Sequence, residues 1–226
     1  MILLAIDTSG RQGSIALARA DEQSSLEIEV TETVPLAGGT FSAQLVPQIA
    51  ALLAGHGFSK QDIGAFAVAS GPGSFTGLRV GLSAVKALAE VLRKPIAAVS
   101  LLEACILTSG GQGKVMAALD AGRGDVYVGS GEISGHSVGE IQELILSKSE
   151  FIAQARGWKV VTPDAMIAEA VTAAGLPVSM LAPISASTIA RLGWNKIQLG
   201  ETVAPDQLEA NYIRRTDAEM LERIGS

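Results

Sequence analysis

The chain has 226 residues, 48% hydrophobic and 18% charged, which is apolar enough for one large domain or two small lobes and excludes a disordered chain. A net charge of −6 argues against a protein that grips nucleic acid alone, because phosphates call for a basic face, and the longest Lys/Arg runs are the pairs Arg93-Lys94 and Arg214-Arg215. One cysteine, Cys105, rules out an intramolecular disulfide, and no stretch has the length of a membrane span, so a soluble cytoplasmic protein is expected.

Ile2 to Ile6 is an unbroken apolar run that ends at Asp7 and the turn residues Thr8-Ser9-Gly10. Gly13 to Ala18 reads as a returning strand, and Leu26 to Val34 alternates, which makes a three-strand meander. Phe41 to Ala54 carries apolar residues at the helical period, with Pro47 inside it, so a kink or a later helix start is expected. Ala65 to Ala69 is a short buried strand. It runs into Gly71-Pro72-Gly73-Ser74-Phe75-Thr76-Gly77 and then a helix to about Leu92. A strand at 96–99 and a helix at 101–108 follow. Gly110, Gly111 and Gly113 mark a lobe boundary, giving expected lobes at 1–109 and 110–226.

Beyond that boundary the opening pattern recurs. Leu4-Ala5-Ile6-Asp7, turn, Ser14 to Leu17 is matched by Ala117-Ala118-Leu119-Asp120, turn, Asp125 to Val128. Two Asp-ended hairpins at equivalent places suggest a duplicated fold. Strands at 160–161 and 178–181, helices at 164–174 and 186–199, and a short tail helix at 217–224 complete an α/β reading.

Asp7 and Asp120 are candidates to hold a metal hydrate or position water, or else they cap their turns. The loop at 71–77 has a place from which backbone N–H groups can meet phosphate, with Gly71, Gly73 and Ser74 as contributors alongside Asp7 and Asp120. Neither G-x-x-x-x-G-K-[ST] nor G-x-G-x-x-G is present, however. A tight turn with Ser74 capping the next helix is therefore the preferred reading. Cys105 lies among apolar neighbours, as a core thiol does. His56 and His136 lack the partner that a helical zinc site needs, and no Ser-His triad assembles.

The helix after the loop has its polar residues in one narrow stripe, Arg79, Ser83, Lys86, Glu90 and Arg93. The helix before the loop is also poor in polar residues. Two neighbouring helices with excess apolar surface suggest a subunit interface, unless the second lobe covers them. The candidate interface residues are Leu45, Gln48, Leu52, Gly77, Val80, Gly81, Ala84, Ala87 and Leu88, with Gly77 and Gly81 letting another helix come close.

Ile6-Asp7-Thr8-Ser9, Gly71-Pro72-Gly73-Ser74-Phe75-Thr76-Gly77-Leu78-Arg79-Val80-Gly81, Val99 to Ala104, Leu119 to Tyr127 and Tyr212-Ile213-Arg214-Arg215 together resemble the TsaB (YeaZ) family over nearly the whole chain. That resemblance implies a two-lobed actin/Hsp70-like ATPase (ribonuclease H-like) fold. It implies a non-catalytic scaffold that pairs with a homologous TsaD-type subunit, which transfers threonylcarbamoyl to adenosine 37 of tRNA. It further implies association with a TsaE-type ATPase, only indirect contact with tRNA, and homodimers through first-lobe helices when alone. No metal or cofactor is expected, although weak ATP, ADP or magnesium binding stays open. The chain departs from the family in having Phe41-Ser42-Ala43 where a His-Ser-Glu-like start is usual. It has no H-x-x-x-H and no Gly-Gly pair after position 111. An actin-like ATPase or kinase using Asp7, Asp120 and the loop at 71–77 is the alternative, with a peptidase last.

Overall fold

β1 (Ile2–Asp7) is buried along its whole length, as an unbroken apolar run must be in a strand covered on both faces. The computed structural model describes residues 1–20, 28–135 and 137–213. β1 pairs antiparallel with β2 (Gly13–Ala20), which pairs antiparallel with β3 (Ile28–Leu36). β3 is the sheet edge, where Pro35 removes no ladder donor that the sheet needs. Helix α1 (Phe41–Gly55) follows, then β4 (Ile63–Gly71), α2 (Phe75–Leu92) and β5 (Ile96–Ser100). β4 lies parallel to both β1 and β5, so the first sheet has the order β3-β2-β1-β4-β5.

Helix α3 (Leu101–Thr108) leads to β6 (Gly113–Gly122), β7 (Asp125–Ser134), the two-residue β8 (Ser137–Val138), β9 (Gln142–Ser147), α4 (Lys148–Gln154), β10 (Lys159–Thr162), α5 (Ala165–Ala173) and β11 (Val178–Met180). β6 is antiparallel to β7 and β7 to β9, while β10 is parallel to β6 and to β11. The path β9-β7-β6-β10-β11 repeats that of the first sheet strand for strand, with β8 added beside β7. The two Asp-ended hairpins seen in the sequence are the β1–β2 and β6–β7 pairs of a duplicated unit.

The compact units differ from the expected division at 109/110. Residues Met1–Leu101 and Ile184–Asn211 form the first, and Leu102–Pro183 form the body of the second. The last helix, α6 (Ala186–Gln198), goes with the first sheet because its buried face carries Ile189, Ala190 and Gly193. A Cβ on Gly193 would sit 2.4 Å from that of Ala67 in β4, so only glycine permits this approach. The Ala186 amide donates to Ser14 Oγ at 2.8 Å, and the Asn211 amide donates to the Ser70 carbonyl at 2.8 Å. Val203 bridges to Ile96 beyond β5.

The first core gathers Leu4, Ile6, Leu17, Phe66, Leu78 and Val85, and the second gathers Val126, Val128, Phe151, Val160 and Val171. α1 starts at Phe41 and runs through Pro47 to Gly55, so the later start allowed for in the sequence does not occur. Leu26, His136, Arg214-Arg215 and the tail helix expected at 217–224 lie outside the described residues.

Candidate functional site

The loop at 71–77 closes on the end of β1 rather than on open space. The Ser74 amide donates to the Ser9 carbonyl at 2.7 Å, and the Thr8 hydroxyl donates to the Gly77 carbonyl at 2.8 Å. Ser74 caps α2, its Oγ accepting from the Gly77 amide at 3.3 Å. A Cβ on Gly73 would meet the Ser9 carbonyl oxygen at 2.5 Å, and one on Gly77 would meet the Thr8 carbonyl oxygen at 2.1 Å. These glycines admit the chain's own backbone. The Gly71-Pro72 bond is cis.

Asp7 is buried at the end of β1, and its Oδ1 accepts from the Ser9 amide at 2.9 Å and from the Ser9 hydroxyl. Burial pushes its carboxyl above the usual carboxylate range, and the Ser9 hydrogen bonds pull the other way. Thus Asp7, Gly71, Gly73 and Ser74 are brought together in the first unit, where Asp7 Oδ1 is engaged by Ser9, the Ser74 amide by the Ser9 carbonyl and the Ser74 hydroxyl by the Gly77 amide. The structure gives the turn-and-cap role that the sequence reading preferred.

In the second unit Asp120 is exposed, its Oδ1 accepts from the Gly122 amide at 3.0 Å, and its own amide donates to Asp164 Oδ2 at 2.8 Å. The turn places Gly122, Arg123 and Gly124 successively at positive φ. Beside it lies a groove of about 400 Å³ lined by Asp120, Arg123, Lys148, Phe151, Asp164 and Met166, among others. Asp164, Phe151 and Met166 were not singled out in the sequence. The register of β10 against β6, which brings the start of α5 beside the β6–β7 turn, is not visible without the sheet.

The nine candidate interface residues divide between two faces. Leu45 and Leu52 are 1% and 4% exposed within the first core, so they are not available to a second chain. Gly77 and Gly81 are also turned inward, and a Cβ on Gly81 would meet Thr8 Oγ1 at 2.3 Å. The small residues that suggested a helix partner are in fact occupied by Thr8. Gln48, Val80, Ala84 and Leu88 are half-buried and Ala87 is exposed. Around them stand apolar residues that the sequence reading passed over, namely Val46, Phe75 and Val91 at 59%, 51% and 75% exposed.

Val46, Phe75, Val80 and Ala84 line an open groove of about 530 Å³ between α1 and α2. The Arg79 guanidinium lies over the Phe75 ring, 3.8 Å from its centre. The four-residue spacing of Phe75 and Arg79 at the start of α2 was the signal that could have found this contact.

Other candidates stay outside both places. Cys105 is buried in α3, and burial, with the Asp164 charge second, pushes its thiol up to about 12, so it is no nucleophile at neutral pH. His56 Nε2 lies 2.7 Å from Glu32 Oε2. Among the described residues no group of three or more His, Cys, Asp or Glu is placed to hold a metal ion, and no helix is long and apolar enough to cross a membrane.

Two α/β units with one strand order, each opened by an Asp-ended hairpin, define the duplicated actin/ribonuclease H-like class. The solved structure of YeaZ from Pseudomonas aeruginosa is similar at a TM-score of 0.73 and 25% identity, covering 94% of this chain and 99% of that one. Residues 34–205 match the family model "TsaD: tRNA N6-adenosine threonylcarbamoyltransferase", and the chain belongs to that family, with TsaB (YeaZ) proteins among its relatives. The tRNA threonylcarbamoyladenosine biosynthesis protein TsaB of Bacillus subtilis (strain 168) is 38% identical over 132 residues, 57% of this chain and 54% of that protein. The protein of the same name from Escherichia coli (strain K12) is 33% identical over 130 residues, 56% of this chain and 53% of that protein. The chain thus spans about half the length of the curated relatives it matches.

Proposed function

We propose that this chain is a non-catalytic partner subunit in the assembly that installs threonylcarbamoyl on adenosine 37 of tRNA. Its task is to bind and support a TsaD-type catalytic subunit through α1 and α2. The observation that carries this reading is the outward side of those helices, where Val46 and Phe75 stand exposed on an apolar groove and Val91 stands exposed farther along α2. TsaB-named relatives involved in threonylcarbamoyladenosine biosynthesis supply the pathway. The remaining interface candidates are Gln48, Val80, Ala84, Ala87 and Leu88. A TsaE-type ATPase joins the same assembly. The net charge of −6 leaves the grip on tRNA to other subunits, in the cytoplasm, and the chain alone pairs with itself through the same helices.

Catalysis by this chain is disfavoured by the chemistry of its turns. Asp7 is buried and engaged by Ser9, and Cys105 is held protonated. A second reading, an actin-like ATPase or kinase, is favoured only by the groove beside Asp120 in the second unit. Calorimetry with ATP and magnesium decides between them: turnover by the lone chain, lost in Asp120→Ala, promotes the second reading.

The subunit reading is tested by light scattering after gel filtration with the TsaD-type subunit. Wild type gives a stable heterocomplex at micromolar concentration. Ala84→Arg abolishes it while unfolding at nearly the wild-type temperature, since an unpartnered charge at a tight interface costs several kcal/mol. No complex for the wild type, together with unaltered tRNA modification after deletion of the chain, removes the reading.

A further inference from the structure

The groove of about 400 Å³ beside the β6–β7 turn has its charges sorted by element. The turn and α4 supply the cations. Gly122 pairs with Asp125 across the hairpin, which leaves Arg123 and Gly124 as its two central residues, both at positive φ. Asn-Gly and Gly-Gly are the usual occupants of such a turn, because side chains disfavour the left-handed region. Among the described residues only Arg93 and Arg123 stand there without being glycine. A residue held against its backbone preference points to a use for its side chain. The Lys148 amide donates to the Gly124 carbonyl at 3.1 Å, which fastens the start of α4 to the turn that carries Arg123. Among the described residues no ion pair engages either cationic side chain.

β6 and the start of α5 supply carboxylates. Asp120 Oδ1 accepts from the Gly122 amide, and Asp164 Oδ2 accepts from the Asp120 amide. The other oxygen of each has no partner among the described residues. The rest of the lining is mostly apolar: Phe151 and Ile167 are buried, and Met166 is 77% exposed. Asp125 also lines the groove, and three carboxylates against two cations oppose a polyphosphate. A single carboxylate suits the planar fork of Arg123 and the point charge of Lys148. An N–H donor beside that carboxylate suits Asp120 and Asp164, which accept only.

We infer that this groove binds an apolar α-amino carboxylate, either a free amino acid or the carboxyl end of a peptide. The carboxylate meets Arg123 and Lys148, the neighbouring N–H group meets Asp120 or Asp164, and the side chain lies against Phe151, Ile167 and Met166. The site belongs to the second unit and does not rest on the subunit reading.

The experiment is an NMR titration of the full chain with leucine, N-acetylleucine and N-acetylleucinamide. A carboxylate ligand is expected to shift the Gly124 amide and the Met166 methyl with a Kd of about 1 mM or tighter. N-acetylleucinamide, which lacks the carboxylate, is expected to bind roughly tenfold more weakly or not at all. Binding of leucine identifies a free amino acid, and binding of N-acetylleucine alone identifies a peptide end; either supports the site. Arg123→Gly is expected to melt close to the wild-type temperature, since glycine suits the turn, yet to lose binding roughly tenfold. Lys148→Gln, at an exposed position, repeats the test should that variant fail to fold. Absence of binding by both carboxylates at about 10 mM, shifts confined to other residues, or equal binding by the amide or by the folded variants overturns the inference. Shifts at the same residues with magnesium ATP, and with neither carboxylate, overturn it in favour of the nucleotide reading.

Discussion

Both sides of α2 carry small and apolar residues, yet they are used in opposite ways. On the inner side Gly77 and Gly81 are filled by Thr8, and Leu78, Leu82 and Val85 complete the core. On the outer side Val80 and Ala84 line an open groove, and Ala87 and Val91 are exposed farther along the helix. Glycine in this helix reports the close approach of the chain's own backbone, and large exposed apolar side chains report where another chain can sit. Composition alone does not separate these, because both produce a helix with a narrow polar stripe.

The largest expected effect tests the inner side. Gly77→Ala puts a Cβ 2.1 Å from the Thr8 carbonyl oxygen, a backbone atom that cannot step aside, so urea unfolding should show a loss of about 3 kcal/mol. If this variant instead unfolds like wild type but no longer associates, Gly77 belongs to the interface and the division between the two sides is wrong.

The outer side is probed by Val46→Glu. Binding to the TsaD-type subunit, read by calorimetry, should weaken by about 2 kcal/mol, as at a buried interface anchor. Stability should stay within about 0.5 kcal/mol, since Val46 is an exposed helix position. The reverse pattern would make Val46 a core residue and the groove a mere surface irregularity.

A smaller effect is expected at Thr8→Val. It keeps the shape but removes the hydroxyl that donates to the Gly77 carbonyl, at a cost of about 1 kcal/mol by urea unfolding and with association unchanged.

The subtlest test uses pH. Burial holds the folded Asp7 carboxyl above its ordinary value, so folding resists its ionised form. Its contribution is most favourable below the ordinary carboxylate pKa and is eroded as pH rises through the raised folded value. Asp7→Asn should therefore be more stable than wild type at neutral pH, with the difference closing as pH falls into the carboxylate range. Thermal melts across that range check the sign.

Much of the first unit was legible because its strands are continuous apolar runs bounded by turn residues, and because the Asp-ended hairpin is repeated in β6 and β7. β9 and α4 were not, since Gln142–Ser147 has half-buried side chains on both faces and α4 is only two turns long. The return of α6 to the first sheet was also hidden. It depends on the fit of Gly193 to Ala67, a contact across 126 positions that no local pattern encodes. At the site, the stripe on α2 was readable from its period, whereas the direction in which Gly77 and Gly81 face depends on Thr8, which is remote in sequence.

The central claim, that α1 and α2 are the surface by which this chain joins its partner, is tested most directly by hydrogen–deuterium exchange with and without the TsaD-type subunit. New protection is expected in residues 41–55 and 75–92, with the groove beside Asp120 unchanged. Protection around residues 120–125 and 164–170 with none on α1 and α2 would contradict it.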